Sequence, residues 1–341
     1  MNRKIVIGMD ISQLAHLGGV SAYTQNLTQE LSKIKELEMV YFYSSLRNPY
    51  RGPLKNVKKY HLPPTFFEML FNRWRTVGIE KFLGPLDVFH SSDWTEPKTK
   101  AKKVTTFHDV VPIKYPQWSH PKIVAVHKRR LRLVEREIDQ VIAVSNSTKS
   151  DLISLSDIPE KKITVIYEGP TADFKPQSRQ NLENFKKKYN LPEKFVLAIG
   201  GVGERKNLAR IKQAAKDYNL VITGQTIPWL SKEELELLYG SAEVLVYASL
   251  YEGFGLPILD SFACGTAVIT SNISSMPEVA GDGALYVDPM DVEDIKKNIK
   301  NAMEDKSLRE DLIKKGFEQV KKFSWQKAAK ETAELYERLI G

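Results

Sequence analysis

The sequence predicts an α/β protein of two domains, each built on a parallel sheet. Three observations carry that reading. Short apolar, β-branched runs alternate along the chain with segments of helical periodicity, the pattern of repeated β-loop-α-β units. Several of these runs end in glycine-bearing loops that open onto a helix start, the edge where open parallel sheets bind ligands. The chain has 341 residues, long for one domain and comfortable for two.

In the first half, Lys4–Met9 reads as a strand. Gly18-Gly19-Val20-Ser21 then precedes a helix whose apolar positions are Tyr23, Leu27 and Leu31. A strand, a glycine pair and a helix N-terminus make a candidate anion site. The G-x-G-x-x-G spacing of a dinucleotide loop is missing, which argues against a dehydrogenase. Residues 44–83 carry little periodic signal. There Pro63-Pro64 leads into Phe66, Phe67, Met69, Leu70, Phe71 and Trp74, with Arg73, Arg75 and Lys81 close by. Such a stripe suits a core or an oligomer contact, and less often a membrane surface. Lys122–Arg136 reads as a basic helix whose cationic face would add to the same surface. Asp87–His90 and Lys103–Phe107 are strands, the second ending at His108-Asp109. Gln140–Ser145 is another, followed by a helix with an N-cap at Ser145 or Ser147. Lys162–Tyr167 closes the first sheet, and a polar linker runs from Glu168-Gly169-Pro170 to about Gln180.

The second half opens with a helix, Asn181–Tyr189, and the strand Phe195–Ile199. Gly200-Gly-Val-Gly-Glu-Arg-Lys206 leads from that strand into a helix from Asn207. Arg205 and Lys206 are either solvated loop charges or two cations fixed at a helix N-terminus, where they would neutralise a diphosphate. Leu220–Thr223 is a strand, joined through Gly224-Gln-Thr-Ile-Pro-Trp-Leu230 to a helix, Ser231–Tyr239. Val244–Ala248 is a buried strand. The chain then turns through Glu252-Gly253-Phe254-Gly255 into a helix that Pro257 initiates and Gly265 stops. Ala267–Thr270 follows as a strand. Helices at Asp291–Asp305, Ser307–Phe323 and Gln326–Ile340 complete the chain.

The Glu252 loop holds the densest signal. Gly253 and Gly255 let a ligand approach the backbone, and the unpaired N–H groups at the Pro257 helix start attract anions. Glu252 would accept hydrogen bonds from sugar hydroxyls, and Asp260, eight residues on, from a second hydroxyl pair. The competing account makes Glu252 a helix-dipole partner and the glycines ordinary turn residues. Spacing alone does not separate the two.

Charge is uneven. Residues 1–150 hold 24 Lys and Arg against 13 Asp and Glu, a net of +11, and the remainder 26 against 29, a net of −3. A basic first half suits an acidic partner, anionic lipid or a phosphorylated acceptor ahead of nucleic acid, unless it is simply a solvated basic face. A lone cysteine, Cys264, makes no intramolecular disulfide framework and suits a reducing compartment. Met1-Asn-Arg-Lys leads directly into Ile5–Gly8, too short for the core of a signal peptide, and no apolar stretch is long enough to span a bilayer. A cytoplasmic protein, peripheral on the inner face of the membrane if it engages lipid, is therefore expected.

Glu252-Gly-Phe-Gly-Leu-Pro-Ile-Leu-Asp260, with Ala263-Cys-Gly-Thr-Ala-Val268 and Ser275-Met-Pro-Glu-Val279, resembles the retaining glycosyltransferases of family 4, and most of all their mannosyl-transferring members. The family signature is a Glu-x7-Glu pair, and here Asp260 replaces the second glutamate. The resemblance implies the GT-B fold, two Rossmann-like parallel-sheet domains facing a cleft, with the C-terminal helix crossing back to the first domain. It implies domains at 1–170 (with 324–341) and 171–323. Gly18 and Gly19 would face donor phosphates and acceptor. His108, in Thr105-Thr-Phe-His-Asp-Val-Val-Pro112, is similar to the family histidine and would touch the donor sugar. Arg205 and Lys206 match an Arg-Lys-Asn-Leu segment and would meet the diphosphate. Gly201, Gly253, Phe254, Gly255 and Leu256 would line the donor site, Glu252 would hold the sugar and Asp260 the ribose.

No Asp-x-Asp pair occurs in the chain, so a metal and a cofactor are not expected. The expected reaction is transfer of mannose or glucose from GDP-mannose or UDP-glucose to a glycan or lipid-linked acceptor, with no nucleic-acid partner. The connection at 224–230 is shorter than the family usually has, which leaves the base unassigned. A GT-B binding subunit with weakened catalysis and a sugar-nucleotide isomerase are the competing readings.

Overall fold

The computed structural model describes residues 3–16, 18–91, 93–171, 173–201 and 203–341. The chain divides into two compact units, Met1–Glu168 with Trp325–Gly341, and Gly169–Ser324.

The first unit is built on a seven-stranded sheet of β1 (Ile5–Asp10), β2 (Leu37–Ser44), β3 (Val57–Tyr60), β4 (Val88–Ser91), β5 (Lys102–Phe107), β6 (Gln140–Ala143) and β7 (Ile163–Val165). Their spatial order is β3-β2-β1-β4-β5-β6-β7, and every pairing is parallel. Ile7 lies opposite Met39 on one side and Val88 on the other. Parallel sheets are covered on both faces, which is why Ile7, Val88, Val104, Val141 and Ile142 are all fully buried. Each such side chain contributes about 1.5–3 kcal/mol of burial.

Helix Gly19–Leu31 buries Tyr23, Leu27 and Leu31, as its periodicity requires. It packs against the last helix, Trp325–Ile340, which rejoins the first unit. Tyr336 fixes that return, its hydroxyl 2.6 Å from Nδ1 of His90 on β4.

Strands β2 and β3 are absent from the sequence reading. β3 is a four-residue edge strand whose central lysines, Lys58 and Lys59, are exposed, so no alternating pattern marks it. The aromatic stripe proves divided. Phe67 and Phe71 join Phe42, Phe89, Val40, Ile79 and Leu83 in a core cluster, while Phe66, Met69 and Trp74 stay exposed. The basic helix, Pro121–Glu137, likewise turns one cation inward. Arg130 is buried over the Phe107 ring, 4.3 Å from its centroid, with Glu96 at 3.5 Å. A buried guanidinium is tolerated because the Glu96 carboxylate offsets its charge and the β5 oxygens of Thr105 and Thr106 accept from its Nη2.

The second unit holds a five-stranded parallel sheet of β8 (Val196–Ala198), β9 (Leu220–Ile222), β10 (Val244–Tyr247), β11 (Ala267–Ser271) and β12 (Ala284–Val287), in the order β12-β11-β10-β8-β9. Val196, Val244, Val246, Ala267 and Ile269 form its core with Ile295 and Ile299 of helix Val292–Glu304. Helix Leu256–Cys264 begins after Gly255 at φ 116° and ends at Gly265 at φ 78°, both in the left-handed region that glycine alone adopts without strain. Pro257 lies in its first turn. β12, an edge strand, was not marked in the sequence reading.

Each sheet has one point where strand order reverses. In the first unit it falls between β1 and β4, in the second between β8 and β10. Open α/β sheets bind ligands outside the carboxyl ends of such strands.

Candidate functional site

In the second unit the loops leaving β8 and β10 meet at the reversal point. The β8 loop passes through Gly200 and Gly201 into a single 3-10 turn, Glu204–Lys206. The β10 loop carries Glu252 to the start of helix Leu256–Cys264. Leu250 N–H donates to the Arg205 carbonyl at 2.8 Å, so the two loops share a backbone bond. Lys206 Nζ donates to Glu252 Oε1 at 2.8 Å and Arg205 Nη1 to Oε2 at 2.5 Å. Lys206 also donates to the Tyr247 hydroxyl at 3.0 Å, and Arg205 to the Tyr251 carbonyl at 3.3 Å. A Cβ on Gly201 would lie 3.2 Å from the Lys206 side chain, so this glycine leaves room for the ammonium's stem.

Glu252 is buried, and burial by itself resists ionisation. Lys206 and Arg205 outweigh it and hold the carboxyl down at about 2. Burial, and next the Glu252 charge, push the Tyr247 phenol far up. Around neutral pH the crevice therefore holds a fixed carboxylate under two cations and a neutral phenol, a set that offers both acceptors for hydroxyls and positive charge for an anion.

Three residues outside the predicted set hold this geometry. Ser275 Oγ donates to the carbonyls of Glu252 at 3.0 Å and Phe254 at 2.6 Å, and Ser274 Oγ to that of Glu252 at 2.6 Å. Asn207 donates to Ala248 O at 2.9 Å and Pro289 O at 2.6 Å from a left-handed backbone, φ 57°. The Ser275 segment and the residue after Arg205-Lys206 both lay in view in the sequence, but which carbonyls they reach is a tertiary fact.

The remaining predicted residues divide. Gly253 and Gly255 lie in the Glu252 loop, and Leu256 opens its helix half-buried. Phe254 is buried with its ring 5.9 Å from Phe323, turned to the core. Asp260 is buried too, and each of its oxygens is engaged by Thr171, Oδ1 by the N–H at 2.7 Å and Oδ2 by the hydroxyl at 3.0 Å. The oxygens expected to meet a ribose also anchor the segment that begins this unit. Trp229, in the short 224–230 connection, is 66% exposed and packs over Gly224 at the end of β9.

In the first unit His108 follows β5 directly. Its Nδ1 lies 3.6 Å from buried Glu168 Oε1, and the Tyr23 ring meets it edge-on at 4.5 Å. Beneath runs a chain of hydroxyls and imidazole: Tyr23 Oη to Thr106 Oγ1 at 3.0 Å, Thr106 Oγ1 to His90 Nε2 at 2.8 Å, then His90 to Tyr336. Burial first, then His108 and Arg130, pull His90 down to about 3, so it stays neutral.

Gly18 and Gly19, at the start of helix Gly19–Leu31, line a pocket of about 420 Å³ at the β1–β4 reversal point, with Asp10, Gln13 and Trp94. Asp10 is held by Ser12 N–H at 2.9 Å, Ser12 Oγ at 2.6 Å and Thr95 Oγ1 at 3.2 Å. Gln13 Oε1 is buried with no hydrogen-bond partner among the described residues, an acceptor that a ligand donor would satisfy. Asp10, Gln13 and Trp94 gave no motif in the sequence.

Two family profiles match the chain: Glycosyltransferase Family 4 over residues 17–173 and Glycosyl transferases group 1 over 154–319. The O-antigen chain mannosyltransferase B of Escherichia coli is 30% identical over 290 residues, 74% of this chain and 74% of that protein. The serotype-specific mannosyltransferase WbdA of the same organism is 29% identical over 279 residues, 70% of this chain but only 34% of WbdA, so the chain spans about a third of that relative. Among solved structures, sucrose-phosphate synthase from Thermosynechococcus elongatus superposes with a TM-score of 0.79 at 18% identity, covering 98% of this chain and 99% of that one. With two Rossmann-like sheets, structural neighbours of the GT-B class and these relatives, the chain belongs to glycosyltransferase family 4.

Proposed function

We propose that the chain is a retaining hexosyltransferase that needs neither metal nor cofactor. It moves mannose from a nucleotide-diphosphate sugar, GDP-mannose ahead of UDP-glucose, to a glycan or lipid-linked acceptor. The observation that carries this reading is the Arg205–Glu252–Lys206 cluster at the β8–β10 reversal point. The mannosyltransferase relatives support the choice of sugar.

The chemistry follows from charge. As the bond from sugar C1 to the diphosphate oxygen breaks, the sugar becomes oxocarbenium-like and the departing diphosphate gains negative charge. Stabilising that developing charge is the largest task a transferase has. Arg205 and Lys206 meet it, helped by the positive end of the dipole of helix Leu256–Cys264. Glu252, already ionised, accepts hydrogen bonds from the sugar hydroxyls and keeps both cations in place. An acceptor hydroxyl attacks C1 from the face the diphosphate leaves, its proton passing to the departing phosphate oxygen, so configuration is retained without a protein nucleophile. Asp260, held in place by Thr171, accepts from the ribose hydroxyls. Trp229 gives the base a flat apolar face.

In the first unit His108, oriented by Glu168 and Tyr23, contacts the donor sugar. The pocket at Gly18 and Gly19 seats the acceptor sugar, with Gln13 accepting from a hydroxyl and Trp94 stacking on the ring.

The test is transfer itself. GDP-mannose and UDP-glucose are each incubated with the protein, excess chelator and a mannose-terminated oligosaccharide, and the product linkage is read by NMR. An α-linked mannosyl product with chelator present is expected. Dependence on added divalent metal, inversion at C1, or epimerised donor without acceptor would each overturn a named part of the reading.

A further inference from the structure

Residues 1–150 carry 24 Lys and Arg against 13 Asp and Glu, a net of +11, which in the sequence points to an acidic partner. The pocket at the β1–β4 reversal point has the opposite character. Asp10 and Asp93 both line it, and among the described residues no lysine or arginine does. Asp10 is 4% exposed, and Ser12 and Thr95 fix its carboxylate in place. Arg130, the buried cation whose field reaches Asp93, stands outside the lining and is paired with Glu96 at 3.5 Å. Its charge is therefore offset by a carboxylate of its own. His16, also in the lining, is solvent-exposed, where charge is screened. The start of helix Gly19–Leu31 adds about half a positive charge, less than either aspartate contributes in the other sense.

The rest of the wall is mostly apolar. Val20, Phe42, Phe67 and Trp94 form one side, and Gln13 Oε1, buried without a hydrogen-bond partner among the described residues, supplies an acceptor. A Cβ built on Gly18 or Gly19 meets no atom within 4 Å, so the backbone there borders open space. Apolar walls with a few placed polar groups suit a neutral ring, whose C–H faces pack on aromatic carbon while its hydroxyls donate. An anion entering the same space would lose water and meet two like charges.

We propose that this pocket selects an uncharged sugar and excludes anionic ones, with Asp10 and Asp93 as the determinants of that choice. The inference rests on the transferase reading, in which this pocket seats the acceptor, and it narrows the acceptor's terminal unit to a neutral pyranose. Phosphorylated sugars and uronic acids are refused, although the half of the chain that builds the pocket is basic. The discrimination comes from a repulsive element, the two carboxylates.

The test uses a matched pair, an oligosaccharide ending in mannuronic acid and the same oligosaccharide ending in mannuronamide. The two differ by one charge and scarcely in shape. Binding of each to the full chain is followed by NMR titration, and transfer from GDP-mannose by product formation. Two carboxylates at about 8 Å and an effective dielectric of about 40 give a preference of roughly 30-fold for the amide. It is expressed in KM, with kcat little changed, and rising salt narrows it. Asp10→Asn/Asp93→Asn brings the ratio to about 1, and Asp93→Asn alone, at a half-buried position, to about 5. The single variant keeps the test open should the double one fail to fold. A purely structural role for these aspartates would depress both substrates alike and leave the ratio unchanged. Equal binding of acid and amide, a ratio that the variants do not move, or a pair that never binds overturns the inference, and transfer to other acceptors then still stands. An amide that binds where the acid does not, with no product from either, upholds the charge selection and removes the transferase reading instead.

Discussion

Replacing Lys206 by alanine removes one cation from the cluster and leaves the other. The ammonium now sits 2.8 Å from Glu252 and 3.0 Å from the Tyr247 hydroxyl. One unit charge about 4 Å from one unit of phosphate charge is worth about 4 kcal/mol at an effective dielectric near 20. Loss of a single preorganised group of this kind costs about 2.7–4 kcal/mol, or about 10²–10³ in kcat. Both lines give a barrier raised by about 3 kcal/mol and a turnover lowered at least ~100-fold. The fold survives, because Glu252 keeps Arg205. The stability cost is that of one charged hydrogen bond, about 1.5–3 kcal/mol. The assay is steady-state release of GDP from GDP-mannose at saturating acceptor, beside a melting curve for each variant. Lys206→Arg, which keeps the charge but alters its reach, should recover part of the rate. A Lys206→Ala enzyme with kcat near wild type and an intact fold would refute the electrostatic role and leave the cluster a structural ion pair.

Three further outcomes follow. Glu252 has its folded carboxyl lowered from 4.5 to about 2, so it contributes roughly 3 kcal/mol of stability, complete above pH 4.5 and lost as pH falls through about 2. The melting temperature of Glu252→Gln should therefore lie below wild type at neutral pH and converge on it in strong acid. His90 is lowered from 6.5 to about 3, so the unfolded chain takes up its proton first as pH falls from 6.5, and stability drains away down to about 3. His90→Asn should flatten that part of the melting profile, while costing about 1–3 kcal/mol at neutral pH for the buried hydroxyls of Tyr336 and Thr106 left without their partner. Trp229→Ala should weaken GDP binding by about 1–3 kcal/mol, the worth of one stacked base, as read by calorimetric titration, with kcat at saturating donor nearly unchanged.

The sequence by itself determined most of the two sheets and the loops that carry Arg205, Lys206 and Glu252. Runs such as Val244–Tyr247 and Ala267–Ile269 are buried on both faces, continuously apolar, and therefore legible without any partner. Pro257 and the glycines at 255 and 265 bound a helix by local backbone chemistry alone. The short edge strands Val57–Tyr60 and Ala284–Val287 escape the sequence reading because exposed Lys58, Lys59 and Tyr286 interrupt their apolar residues. Leu37–Ser44, by contrast, is an inner, largely apolar strand that the reading omits although its pattern is visible. The inward turn of Arg130 and the division of the aromatic stripe into core and surface also needed coordinates. So did the hold of Thr171 on Asp260 and the pocket around Asp10, Gln13 and Trp94. Local signals arise from a residue and its near neighbours, and these survive in a one-dimensional string. Which carboxylate meets which cation is decided by strand order, which brings loops 46 positions apart, at Lys206 and Glu252, within one hydrogen bond.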